Sequence, residues 1–78
     1  MVHTQQWAKI IQTREYDVIV RKGCNTDDNR FLLQLIAFDG HKELLMQYSF
    51  DSKEVRDSEF LDNVHLKERA EALISYFE

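Results

Sequence analysis

The chain has 78 residues, of which 44% are hydrophobic and nine are aromatic, and this composition favours a single small globular domain over residues 1–78. A net charge of −4 disfavours direct nucleic-acid binding, because phosphate recognition needs clustered lysine and arginine. The single cysteine, Cys24, excludes an intramolecular disulfide and four-cysteine zinc sites and favours a reducing, cytoplasmic location.

The first predicted element is a short helix over residues 4–13. Thr4 is a typical N-cap residue, and Trp7, Ile10 and Ile11 follow at helical spacing. This N-terminal stretch lacks the basic and apolar regions of a secretory signal, and no apolar run in the chain approaches the roughly 20 residues that span a bilayer. We therefore expect a protein without a membrane anchor.

A strand and a loop are predicted next. Polar and apolar residues alternate from Glu15 to Lys22, with Val18 and Val20 on the apolar side, which is typical of a strand with one buried face. Residues 23–29 are polar and too numerous for a tight hairpin turn, so we predict a loop there.

Asp39 and Gly40 stand between two apolar runs and predict a β-hairpin with arms at residues 30–38 and 41–50. A two-residue type I′ turn needs positive φ at both positions, which Asp and Gly tolerate. Such a turn predicts a register with these partners: Phe38 with His41, Leu35 with Leu44, Leu33 with Met46, and Phe31 with Tyr48.

Two helical segments are predicted after the hairpin. Asp51 begins a capping-box-like sequence that ends at Glu54 and predicts one or two helical turns or an irregular stretch. Asn63 is expected to cap a last helix with an amphipathic pattern. The apolar stripe of that helix consists of Leu66, Ala70, Leu73 and Phe77.

These elements predict an α+β fold of order α-β-β-β-(α)-α, a three-stranded antiparallel meander with a short N-terminal helix and a C-terminal helix packed on the sheet. The second sheet face is expected to carry an apolar set surrounded by polar residues: Ile19, Leu32, Ile36, Phe38 and Leu45. Two alternatives remain for this face. The N-terminal helix covers it, or it stays open as an interface.

Residues of catalytic and metal-binding type are not arranged for chemistry. Cys24 has no nearby histidine partner, and the three histidines (His3, His41 and His65) lack the short spacing of metal ligands. The two glycines stand alone, so no glycine-rich phosphate loop exists. We therefore expect no enzymatic activity, no metal and no cofactor.

The acidic residues are the other candidate for an interaction site, although such a charge run is also typical of a solvated helix face. We predict that a protein partner with a basic surface binds the following carboxylates: Asp27, Asp28, Asp51, Glu54, Asp57, Glu59 and Asp62.

The predicted order of elements resembles that of small acidic phage proteins, the anti-CRISPR inhibitors that occlude the DNA-binding surface of a CRISPR nuclease. The resemblance covers residues 5–60 by element order: a short helix before Arg14-Glu15-Tyr16-Asp17-Val18, a polar loop at 23–29, the hairpin at 39–40, and acidic residues after the third strand. It implies an inhibitor whose carboxylates stand in for the phosphates of DNA. Double-stranded-RNA-binding domains share the order but have lysines opening the last helix, where this chain has Asp62-Asn63-Val64-His65-Leu66-Lys67.

The sequence thus favours a non-enzymatic cytoplasmic binding protein, from a phage or another mobile element, that acts as a DNA mimic on a basic partner. The alternative is a structural or regulatory homodimer joined through the second sheet face. A domain that binds double-stranded RNA is the third possibility.

Overall fold

A computed structural model describes residues 6–77 and has the α+β class that the sequence predicts. Four antiparallel strands in the order β1-β2-β3-β4 form one sheet, and two helices follow. The elements are β1 (Ala8–Gln12), β2 (Asp17–Asn25), β3 (Arg30–Phe38), β4 (Glu43–Phe50), α1 (Lys53–Leu61), α2 (Asn63–Ile74) and a 3₁₀ turn (Ser75–Phe77).

The predicted N-terminal helix is wrong, and the sheet has four strands instead of three. Residues 8–12 form the edge strand β1, whose partners run from Ala8 opposite Arg21 to Gln12 opposite Asp17. A tight turn joins β1 to β2, in which Thr13 donates both its backbone N–H (2.9 Å) and its hydroxyl (2.7 Å) to the carbonyl of Tyr16. A ten-residue helix is only marginally stable in water by itself. Pairing with β2 instead gives the backbone groups of this segment hydrogen-bond partners within the sheet. Residues 4 and 5 of the predicted helix lie outside the described residues.

The strand predicted at 15–22 is β2, and it continues three residues further. The polar loop predicted at 23–29 therefore shrinks to a turn at 26–29. Asn29 adopts a positive φ of 56° there, a conformation that asparagine tolerates. Two local hydrogen bonds to side chains close the turn. Asn25 accepts the N–H of Asp27, and Asp28 accepts the N–H of Arg30.

The predicted hairpin register is wrong by two residues. Leu35 lies opposite Met46, and Leu33 lies opposite Tyr48, so the loop contains four residues, 39–42. The Asp39 carboxylate accepts the backbone N–H groups of His41 (2.9 Å) and Lys42 (2.8 Å), and these two bonds hold the pKa of Asp39 below its ordinary value. An even shift keeps every side chain on its predicted face.

The N-cap residue of each helix lies one position away from the predicted one. Ser52, and not Asp51, caps α1 by accepting the N–H of Val55 (3.0 Å). Asp62 caps α2 by accepting the N–H of His65 (3.1 Å), whereas Asn63 is the first helical residue. Each cap satisfies one of the free N–H groups of a helix N-terminus.

The helices lie on one face of the sheet and form the core with it. The predicted stripe on α2 is confirmed, because Leu66, Ala70 and Leu73 are buried and Phe77 packs partly against them. Among residues 6–77, the buried apolar residues are Val18, Val20, Leu33, Leu35, Ala37, Phe60, Leu66, Ala70 and Leu73. Within residues 6–77, neither helix is long and apolar enough to cross a membrane.

Candidate interaction surface

The sheet face opposite the helices, called the open face below, carries an apolar row that crosses all four strands. Ile10 pairs with Ile19, Ile19 with Ile36, and Ile36 with Leu45. Ile10 is 60% exposed, Ile19 44% and Leu45 58%, while Ile36 is half-buried. Phe38 is 62% exposed beside the row. Of the two sequence-based alternatives, an uncovered face is the one found among the described residues.

On one side of the apolar row the open face is polar and cross-linked. Arg21 Nε donates to Gln34 Oε1 (2.6 Å), and Gln34 Nε2 donates to Gln47 Oε1 (2.8 Å). These three residues are neighbours across β2, β3 and β4. The ladder of side-chain bonds stiffens this margin and keeps the Arg21 charge at one end of the face.

On the other side of the row the face is acidic. Asp17 lies opposite Gln12 on β1, and Glu43 lies opposite Phe38 on β3. The open face therefore has an apolar centre with a basic margin and an acidic margin, an arrangement typical of protein interfaces.

The predicted set for this face was Ile19, Leu32, Ile36, Phe38 and Leu45, and all five lie on it. Sequence reasoning missed Ile10, which it assigned to a helix covering the face. The sequence of residues 8–12 has no clear alternation that would indicate a strand, because Ile10 and Ile11 are adjacent.

The covered face contains a chain of alternating cations and aromatic rings. Lys9 Nζ lies 4.6 Å from the centre of the Phe60 ring. Lys22 Nζ lies 5.0 Å from the same ring and 4.8 Å from the Trp7 ring. These contacts attach α1 to the edge of the sheet, and burial lowers the pKa of Lys9.

Arg56 continues this chain and is 2% exposed. Its guanidinium lies 5.3 Å from both the Trp7 and Phe31 rings. Nη1 donates to the Gly23 carbonyl (2.8 Å), and Nε donates to Asp57 (3.1 Å). A buried arginine is costly unless its donors are used, and here they bind an edge of the sheet to α1.

Asp57 is the counter-ion of this cluster. Burial raises its pKa, but the hydrogen bond from Arg56 and the charge of Lys22, at 3.4 Å, outweigh burial and hold the pKa of Asp57 below its ordinary value. A groove of about 370 Å³ opens beside Trp7 and Lys53. The buried Arg56 and the half-buried Lys22 at this groove already share the Asp57 carboxylate.

Five of the seven predicted acidic residues have partners within the chain, including Asp28, which accepts the backbone N–H of Arg30. Asp57 pairs with Lys22 and Arg56, and Asp62 caps α2. Glu59 lies 3.0 Å from both His65 Nδ1 and Arg69 Nη2, and Asp51 pairs with Arg30. Asp57 and Glu59 are only partly exposed, so the acidic stretch is not a freely solvated helix face.

The more exposed acidic residues form an acidic end of the molecule, defined as Asp27, Asp28, Asp51 and Glu54. Asp28 and Asp51 both contact Arg30, the first residue of β3. Glu54 lies in the first turn of α1, which follows Asp51 in the chain. The turn at 26–29 and the start of α1 thus present carboxylates around one arginine.

The structure brings together Glu59, Asp62 and His65, whose ligand-type atoms lie within 4.8 Å of one another. The Glu59 oxygen that lies next to His65 also pairs with Arg69, and this arginine supplies the positive charge that a metal ion would bring. Cys24 is exposed at the end of β2, opposite Phe31. His3 lies outside the described residues.

The candidate binding features are therefore the open face, with its apolar row and two charged margins, and the smaller acidic end. No protein-family profile, curated protein or solved structure matches this chain.

Proposed function

We propose that this protein is a non-enzymatic binding protein that engages a protein partner through the open face of its sheet. The observation that carries the proposal is the row of Ile10, Ile19, Ile36 and Leu45 across all four strands, of which Ile36 is half-buried and the other three are exposed. A cytoplasmic location remains part of the proposal and rests on the single cysteine.

The energetics favour an interface there. Burying a fully exposed isoleucine, leucine or phenylalanine contributes about 1.5–3 kcal/mol. The row and Phe38 offer four exposed side chains and the half-buried Ile36, each of which would contribute the part of that value that corresponds to its remaining exposure. Ile19, Ile36 and Phe38 lie on β2 and β3, the two inner strands, whose neighbours on both sides hold the backbone in place. The polar margins supply orientation.

A second candidate function uses the acidic end. Asp27, Asp28, Asp51 and Glu54 are exposed and would steer a partner with a basic, nucleic-acid-binding surface, as expected of a DNA-mimicking inhibitor from a phage or mobile element. Asp57 and Glu59 would contribute less, because they are only partly exposed and pair with cationic side chains of this chain, and the Asp62 carboxylate caps α2. The element order that suggested both this inhibitor and a domain that binds double-stranded RNA loses its first element for both, since residues 8–12 form a strand in place of the predicted helix. The inhibitor candidate therefore rests on the acidic end alone.

Site-specific photo-crosslinking tests the main proposal. A benzophenone side chain replaces Phe38 on the open face or, as the matched control, Leu61 on α1, which is 73% exposed on the other side of the molecule. We expect protein adducts from position 38 only, and competition by the wild-type chain but not by Leu45→Asp. Equal adducts from both positions would contradict the proposal.

The second candidate function predicts that the rate of association depends on the charges of the acidic end and on salt. Asp27→Asn, Asp28→Asn and Glu54→Gln together should slow association with the adduct-forming partner and reduce its sensitivity to salt. An unchanged association rate would exclude the acidic end from binding, while leaving the open face unaffected.

A further inference from the structure

We propose, building on the function proposed above, that the occupant of the open face is a second copy of this chain, packed face to face with its strands reversed. The juxtaposition that carries this inference is Asp17 and Arg21 on one strand, two residues on either side of Ile19 in the apolar row.

A two-fold axis along the apolar row gives this arrangement. Rotation about that axis places the row of one copy on the row of the other and keeps each strand above its own counterpart. It also exchanges the two margins of the face. The Asp17 margin of one copy then lies over the Arg21 margin of its partner, and symmetry repeats the contact.

Distances allow this pairing. Residues two positions from the row lie about 7 Å from the axis, at roughly 3.4 Å per strand residue. Two sheets packed in aligned fashion cross at about 30°, which displaces these positions by only a few ångströms, within reach of an arginine side chain. Arg21 uses Nε for Gln34, and its guanidinium has two further nitrogen groups that donate.

The charge pattern selects this axis over the alternative. A two-fold axis parallel to the strands would place the Asp17 and Glu43 margin over the same margin of the partner, with four carboxylates at one end. The axis along the row instead places Asp17 over Arg21 of the other copy at two symmetry-related positions, and Glu43 over the uncharged Gln47. Like charges opposed in an interface cost affinity, so the reversed arrangement is favoured.

The available area sets the expected strength. Four strands spaced about 4.8 Å apart, with eight or nine residues in the longer ones, give a flat face on the order of 500 Å². A standard stable interface buries about 800 Å² per partner. We therefore expect a dimer that forms in the micromolar range and dissociates on dilution.

Sedimentation velocity from micromolar to millimolar concentration tests the dimer itself. The wild-type chain should shift from the mass of one chain to that of two. Leu45→Asp, on the exposed edge strand β4, should stay monomeric while keeping the wild-type circular dichroism spectrum. A dimer that persists in Leu45→Asp would overturn the proposed interface, since β-edge pairing would not need this side chain.

Charge reversal tests the orientation. Asp17→Arg places two arginines opposite two arginines, and Arg21→Asp does the same with aspartates, so each variant should dimerise at least roughly tenfold more weakly. An equimolar mixture of the two variants should recover dimers, because one copy then supplies two arginines and the other two aspartates. Glu68→Arg, an equal charge change on α2, is the control and should dimerise as wild type.

The outcomes separate this inference from the function on which it rests. If the mixture fails to recover dimers, or the single variants dimerise normally, the reversed orientation is wrong. If the wild-type chain stays monomeric at all concentrations while position 38 still crosslinks another protein, self-association is wrong and the open face binds a different partner. If neither a dimer nor a crosslink forms, both proposals fail.

Discussion

The two faces of this sheet use the same strands and the same kinds of residue, yet only one is needed for the fold. On β3, Leu33 and Leu35 are fully buried under the helices, while Ile36 is half-buried on the other face and Phe38 is 62% exposed. The covered face also contains a buried arginine, Arg56, with its partners, whereas Arg21 on the open face is exposed. Apolar residues on the open face therefore contribute little to stability and are free to serve binding.

Matched leucines on the two faces give the largest expected difference. Leu35→Ala should lower the free energy of unfolding by about 2–5 kcal/mol, because it leaves a cavity beneath the helices. Leu45→Ala removes a side chain that is already 58% exposed and should change it by less than about 0.5 kcal/mol. Urea unfolding followed by the fluorescence of Trp7, the single tryptophan, measures both. If both substitutions lowered the free energy of unfolding by similar amounts, the two faces would contribute equally to stability and the proposed difference between them would be wrong.

Matched arginines sharpen the comparison. Arg56→Met keeps the apolar stem but removes the donors to Gly23 and Asp57, and we expect a loss of about 2–3 kcal/mol. Arg21→Met on the open face removes one exposed bond to Gln34 and should be close to neutral. If Arg56→Met were also neutral, the buried cluster would be replaceable by apolar packing, as happens with some buried ion pairs.

Lowering the pH should change the stability of the fold by a smaller amount. The folded pKa of Asp57 lies below its ordinary value, so its stabilising effect is present above about pH 4 and disappears as the pH falls through the ordinary and then the folded pKa. Asp57→Asn should therefore be less stable than wild type near neutral pH, and the difference should narrow at about pH 3. Thermal unfolding at both pH values measures this. Asp17→Asn on the open face is the control and should keep the acid dependence of the wild type.

The N-terminal strand could not be predicted from its residues alone. Trp7, Ile10 and Ile11 fit one side of a helix, yet Ile10 and Ile11 also fit opposite faces of a strand. Short apolar segments of this kind satisfy both periods, and the choice depends on whether a neighbouring strand offers backbone partners. That neighbour is β2, which pairs with all five residues of β1.

The hairpin shows which part of a register follows from local sequence. Alternation along both arms assigned every side chain to the correct face. The loop length was not correctly predicted. Asp-Gly is compatible with a two-residue loop, but the Asp39 carboxylate also accepts the N–H groups of His41 and Lys42 and so stabilises a four-residue loop. Face and register are thus separate predictions, and only the first depends on pattern.

The candidate surfaces were predictable to different degrees. Five residues of the open face follow from strand alternation. The roles of Asp57 and Glu59 do not, because their partners Lys22 and Arg69 are distant in sequence or lie in the next helix. Arg56, among acidic neighbours, has the sequence context of a solvent-exposed residue, and only the packing of Trp7 and Phe31 around it reveals its burial.

The chain order of the elements has a consequence for how the protein is made. All four strands precede both helices, and each strand pairs with its neighbour in the chain, so the sheet can assemble by short-range steps as synthesis proceeds. Until α2 emerges, however, Val18 and Leu33 have no cover, and the nascent sheet is apolar on both sides. A ribosome-bound chain at that stage is therefore a natural client for chaperones that bind exposed apolar segments.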